Sequence, residues 1–194
     1  MTLLVIGLIL FLGIHSIRVV APGIRDAGIA AIGTGGWRGV YSLISLGGLV
    51  LLVWGFGQAR ATTGMLYTPP AFFSHITLTL MILAMISLAA SQMPAGHIKT
   101  RAKHPMVLSV KIWAFAHLLA NGETSSVILF GAFLAWGVIM RIAYKRRERA
   151  GLSALPVYKS WTWDIAAIAV GLVLYAAFVF KLHEWLIGVA PVMV

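Results

Sequence analysis

Six apolar stretches, each about as long as a helix that crosses a bilayer, constrain this chain to a polytopic membrane bundle. They run approximately from Leu3 to Val20, Arg38 to Gln58, Ala71 to Gln92, Pro105 to Ala120, Ser125 to Ala143 and Asp164 to Ile187. Of the 194 residues, 60% are hydrophobic and only 10% charged, and the mean hydropathy is +0.95. A water-soluble domain of this size has no interior large enough for that much apolar surface. The expected fold is therefore all-α, a single transmembrane domain over residues 1–194 of about six helices, with the lipid bilayer as its first partner.

The basic residues carry topology. Arg18, Arg25, Arg38, Lys99, Arg101, Lys103, Arg141, Lys145, Arg146, Arg147, Arg149 and Lys159 follow the first, third and fifth spans, while the opposite loops carry only Arg60. The positive-inside rule makes the odd loops cytoplasmic, so both termini are expected on the periplasmic side of a bacterial inner membrane. The first span is expected to be retained, because its basic residues follow it. In a soluble protein the formal charge of +10 would point to nucleic acid, but here the charge lies in short loops and no nucleic-acid partner is expected. Gly33-Thr34-Gly35-Gly36-Trp37-Arg38-Gly39 has the glycines of a dinucleotide fingerprint but neither its preceding strand nor its βαβ context. Cysteine is absent, which excludes disulfides and thiolate ligation and leaves histidine as the natural metal ligand.

Six histidines are present, and depth separates them. His97 and His104 fall near cytoplasmic ends and His75 and His183 near outer ends, where a polar tip reaches water. Lys181 and Glu184 flank His183, as a salt-bridged helix end would. His15 and His117 lie within spans, where an ionisable group costs about 2.5–3.5 kcal/mol and marks a site by default. His117 shares a helix face with Trp113 and Asn121, each four residues away. His15 precedes Arg18 by three residues, an imidazole and a permanent cation on roughly one side of the first span. Such a set suits an anionic, metal-containing cofactor such as haem, with imidazole as axial ligand and arginine on a propionate. Spacing alone favours the other reading, histidines that only hydrogen-bond between helices.

The His104-Pro105-Met106 segment, the run from Trp113 to Glu123, the His15-Ser16-Ile17-Arg18 element and the six-span layout together resemble the NnrU family, to which plant 15-cis-zeta-carotene isomerases also belong. The resemblance covers nearly the whole chain. It implies a haem b held by His15 and His117, which would also be the catalytic residues, with Arg18 on a propionate, Trp113 lining the pocket and Asn121 supporting it, and it leaves open whether His104 or His183 takes the place of one of the two ligands. In the isomerase branch it implies redox-gated cis–trans isomerisation of a polyene. The alternative it implies is a haem protein without an organic substrate, transferring electrons from an unidentified donor or responding to nitric oxide, in nitrite and nitric oxide metabolism (denitrification).

Depth along the helices constrains the histidine pair. With the spans as drawn, His15 lies near the inner edge and His117 near the outer, about 20 Å apart in depth. One iron needs its two axial nitrogens within about 4 Å. The two are reconciled if the first span continues to about Ile24 and the fourth runs from about Leu108 to Thr124, which places both about 13.5 Å deep and buries Arg18 against an anionic partner.

Overall fold

Proline and glycine set the breaks between helices. A computed structural model describes residues 1–192. Helix α1 (Thr2–Val20) stops at Ala21 (φ −140°, ψ 63°), and Pro22 opens α2 (Pro22–Thr62) at a position where its missing N–H costs nothing. Gly33, at φ +73°, breaks α2 into two arms, a backbone turn that a side chain would strain. The shorter arm, residues 22–32, was expected as a loop and is helical; the Trp37 ring sits where a side chain on Gly28 would stand. The glycine-rich stretch is thus an elbow between helices. Then follow α3 (Phe73–Gln92), the short α4 (His97–Ala102), α5 (Pro105–Ala120), α6 (Thr124–Arg149) and α7 (Thr162–Ala177). The last passes through a π-helical turn, Phe178–Leu182, into α8 (His183–Ile187). Among the described residues there is no strand, only a bridge between Met65 and Glu123.

Five helical runs are long and apolar enough to cross a membrane: α1, α2, α3, α6 and the continuous run Thr162–Ile187. The shorter apolar helix α5, 16 residues long, packs along α3 and α6. The helix limits agree with the spans first drawn and not with the extended ones, since α1 ends at Val20 and α5 occupies Pro105–Ala120. The helices pack in the order α2, α1, α6, α5, α3, α7, a wall with α2 and α7 at its edges and with α2 also meeting α6.

Small residues allow the close approaches. Side chains added at Gly7, Gly48 or Gly55 would strike the backbone of the facing helix, at Leu52, Phe11 and Leu4 respectively, so α1 and α2 meet backbone to backbone. Without water to drive association, such contact is what lipid-embedded helices use. Gly171 does the same for α7 against Ile86 of α3, beside buried Ala89, Ala90 and Ala167.

Polar ties close the basic end. Asp164, in the first turn of α7, accepts the backbone N–H groups of His97 (2.7 Å) and Ile98 (2.8 Å), and so caps α4 from another helix. Lys99 donates to the Ser91 (2.9 Å) and Met93 (2.6 Å) carbonyls at the end of α3. Glu148, beyond the apolar part of α6, accepts from Lys103 (2.8 Å), His104 (2.8 Å) and Arg141 (3.2 Å), with its side chain only 8% exposed. His104 also packs on Tyr144, at 4.6 Å between ring centres. The hydrogen bond from Lys103, then that from His104 and the charges of Lys103 and Arg141, hold the Glu148 carboxyl at about 2 despite burial. Lys181 and Glu184, expected as a pair, are both exposed and do not pair with each other among the described residues.

Two outcomes follow from this packing. Gly55→Val should push α1 from α2 and cost about 1–3 kcal/mol or more, read as a fall of at least several degrees in the thermal midpoint of detergent-purified protein. Glu148→Gln should lower the midpoint at pH 7. Because the folded pKa lies below the ordinary one, the contribution is complete above about 4.5 and lost as pH falls toward about 2. The gap to wild type should therefore close over that range, and a constant gap would show that the carboxylate charge does not hold this corner.

Candidate functional site

The site begins with two histidines near the end of the bundle opposite the basic one. His117 lies three residues before the end of α5, and His183 lies four residues before the end of α8. The π-turn just before His183 adds a residue to the local repeat and so resets which side of the helix His183 occupies, a device that recurs at functional sites. The two imidazole rings have centres 6.3 Å apart and planes 20° from parallel.

Each ring is fixed by one hydrogen bond to the backbone. Nδ1 of His117 meets the Trp113 carbonyl at 2.9 Å, and Nδ1 of His183 meets the Val189 carbonyl at 2.7 Å. A carbonyl oxygen has no proton to give, so Nδ1 carries the hydrogen in both rings. In the neutral form this leaves Nε2 of each with a free lone pair, the arrangement metal-binding histidines use. His117 is further held by Phe130 (4.7 Å between ring centres) and by Trp113 (5.4 Å), whose indole stands edge-on to Phe130 and Phe133.

Both histidines line a cavity of about 410 Å³ enclosed by α2, α3, α5, α6 and the α7–α8 run. Its walls are largely apolar, with Leu52, Phe56, Met81, Leu129 and Phe178 among them. Polar groups are few: Arg60, Thr77, Asn121, Ser126, Tyr175 and the two histidines. The Asn121 side chain donates to the His117 carbonyl (2.9 Å), so it caps α5 and holds the backbone of the histidine rather than its ring. Above the cavity, the loop after α2 pairs with the loop after α5. Leu66 N–H donates to Gly122 (2.8 Å), Thr124 N–H donates to Gly64 (3.0 Å), and the Tyr67 hydroxyl donates to the Leu118 and Asn121 carbonyls. Burial, then the Glu123 carboxylate, pushes the Tyr67 phenol up, which keeps it a donor.

Of the residues read from sequence, Trp113, His117 and Asn121 come together here, while His15 and Arg18 do not line the cavity. His15 donates to the Phe11 carbonyl (2.6 Å) and packs against Phe11 (4.3 Å) and Tyr41 (5.5 Å). Arg18 is exposed in the last turn of α1, with no ion-pair partner among the described residues. The reason is depth. His15 is eleven residues from Leu4, which packs beside Gly55 at the His117 end, a rise of about 16 Å along α1. His183 was read as an interface residue, although its distance from the outer helix end matches that of His117. That shared depth was the signal available in the sequence. Arg60 was read only as a loop charge and lies on the cavity wall.

Lys111, within α5, runs its aliphatic stem through the space that a side chain on Gly137 would need, and its ammonium has no hydrogen-bond partner among the described residues. Groups of three or more His, Asp or Glu able to hold a metal ion are absent among the described residues. A histidine pair alone suits a metal whose remaining ligands come with it.

Comparison with curated proteins and with solved structures returns no match. The family model described as NnrU protein matches residues 3–191, nearly the whole chain. The chain belongs to the NnrU family.

Proposed function

We propose that this multi-pass membrane protein is a haem b protein whose axial ligands are His117 and His183, the second replacing His15 in the pair read from sequence. The observation that carries the reading is the ring separation. An iron between two imidazoles puts their nitrogens about 4 Å apart and their ring centres about 6 Å apart, and the observed value is 6.3 Å with nearly parallel rings. The donor set fits the group in three further respects. Both Nε2 atoms are free because both Nδ1 atoms are engaged. The cavity walls are largely apolar, as a porphyrin face requires, and Arg60 is the one Lys or Arg among the described residues that line it, placed where an acidic edge could reach it.

When bound, a haem supplies one-electron redox and a Lewis-acidic iron, with a potential tuned by burial and by hydrogen bonds to its ligands. The chain's own part is unequal on the two sides. His117 sits in a packed helix between Trp113 and Phe130, which fix its orientation. His183 stands on a short helix after a π-turn, and its N–H partner belongs to the tail that follows. Of the two, His183 would therefore be the ligand freer to move aside. This arrangement suits the redox-gated cis–trans isomerase of a polyene that the resemblance to the plant enzymes implies. The same histidine pair, left in place, suits an electron-transfer or nitric-oxide-responsive protein without an organic substrate. Turnover of a cis-polyene separates the two. In a bacterial cell the basic end faces the cytoplasm and both termini the periplasm, from the charge bias of the loops.

Absorption spectra of detergent-purified protein, oxidised and reduced, test the ligand assignment. Wild type should carry about one haem b per chain by pyridine haemochrome and give a six-coordinate spectrum. His117→Ala and His183→Ala should each lose that spectrum, while His15→Ala should keep it. Loss in His15→Ala with retention in His183→Ala would return the assignment to His15.

A further inference from the structure

The cavity has one unclosed side. Its far end is covered by the paired loops and by Val189 and Pro191 of the tail, and the packed helices form its wall. Between the edges of that wall, α2 and α7 do not pack on each other along their lengths. A second cleft of about 390 Å³ lies in that gap, bounded by Val53, Phe56, Gly57, Arg60 and Ala61 of α2 and by Leu186 and Ile187 of α8. Val53, Phe56, Arg60 and Ile187 line both spaces, so the cleft runs into the cavity. Its lips are apolar and open: Val53 is 60% exposed, Leu186 55% and Ile187 48%. Open apolar lips on a membrane helix face lipid rather than water.

Arg60 stands where the cleft meets the cavity. The nearest carboxylate is Glu123, whose Oε1 lies 3.8 Å from Arg60 Nε, too long for a hydrogen bond, so the two terminal guanidinium nitrogens have no partner among the described residues. A guanidinium fork is the group best suited to take a carboxylate in two parallel bonds.

Resting on the haem reading above, we infer that the cleft between α2 and α8 is a lateral port through which the amphiphilic occupant enters from the bilayer, with Arg60 taking its carboxylate edge as the apolar face slides in toward the histidines. Arg60 is then a positioning residue for the cofactor, the part the sequence had given to Arg18.

The absence of native cysteine makes the port testable. Gly57→Cys/Leu186→Cys, reconstituted without haem in phosphatidylcholine vesicles and bridged by a short bifunctional maleimide, should take up haemin at least about tenfold more slowly than the same protein unbridged, read by the growth of the six-coordinate absorbance. The two single-cysteine variants given the same reagent should load normally. Uptake by the bridged protein at the unbridged rate overturns the port. For the clamp, Arg60→Gln should bind haemin about tenfold more weakly than wild type, and Arg60→Lys should recover part of the loss. Haemin dimethyl ester, which has no carboxylate, should bind wild type and Arg60→Gln alike. Equal wild-type affinity for haemin and its ester overturns the role of Arg60. Wild type that takes up no haemin overturns the haem reading and this inference with it, whereas normal uptake without either effect overturns the inference alone.

Discussion

A histidine N–H inside an apolar bundle has to be paired, and the choice of partner decides which nitrogen is left for chemistry. At His117 and at His183 the partner is a backbone carbonyl, from Trp113 and from Val189. Both bonds use Nδ1, so both rings present Nε2, and the rings lie nearly parallel 6.3 Å apart. Two histidines serving only as glue would more naturally bond across helices to a partner side chain. The Val189 bond also explains why the tail belongs to the site: without that segment folded back, the N–H of His183 would have no protein acceptor here.

Helix number and limits were legible in the sequence because membrane thickness and hydropathy fix them together. Pro105 and Ala120 bound α5 as read, and Val20 ends α1 as read. The arm over residues 22–32 was not legible, since its mixed composition gives no apolar run and its elbow depends on the φ of one glycine, Gly33. At the site, Trp113, His117 and Asn121 share a face by helical spacing and were found by it. The second histidine is a matter of which helix comes round to face α5, which a one-dimensional pattern does not carry. Depth does carry part of it. Held to the helix limits first drawn, His15 and His117 lie about 20 Å apart in depth, whereas His183 lies close to the depth of His117.

The resemblance motifs divide between architecture and site. His104 sits in the Glu148 cluster and Ser16 accepts the Trp136 indole N–H at 3.0 Å, joining α1 to α6. Neither lines the cavity, and both tie one helix to another. The run from Trp113 to Glu123 differs: Trp113 orients His117, Asn121 holds its backbone, and Gly122 admits the Tyr67 loop that covers the cavity, since a side chain there would strike the Tyr67 carbonyl.

The two ends of the bundle are held by different physics, and this bears on where motion is allowed. At the basic end, charged side chains tie α3, α4, α5, α6 and α7 together through Glu148, Asp164 and Lys99. At the other end α2 and α3 are linked to α5 and α6 by loop backbone pairing, while α8 is held by its own π-turn and by the tail. An element with few packed neighbours opens at the smallest free-energy cost. The bundle is therefore tied most firmly where its charges lie and least at α8, the element that carries His183.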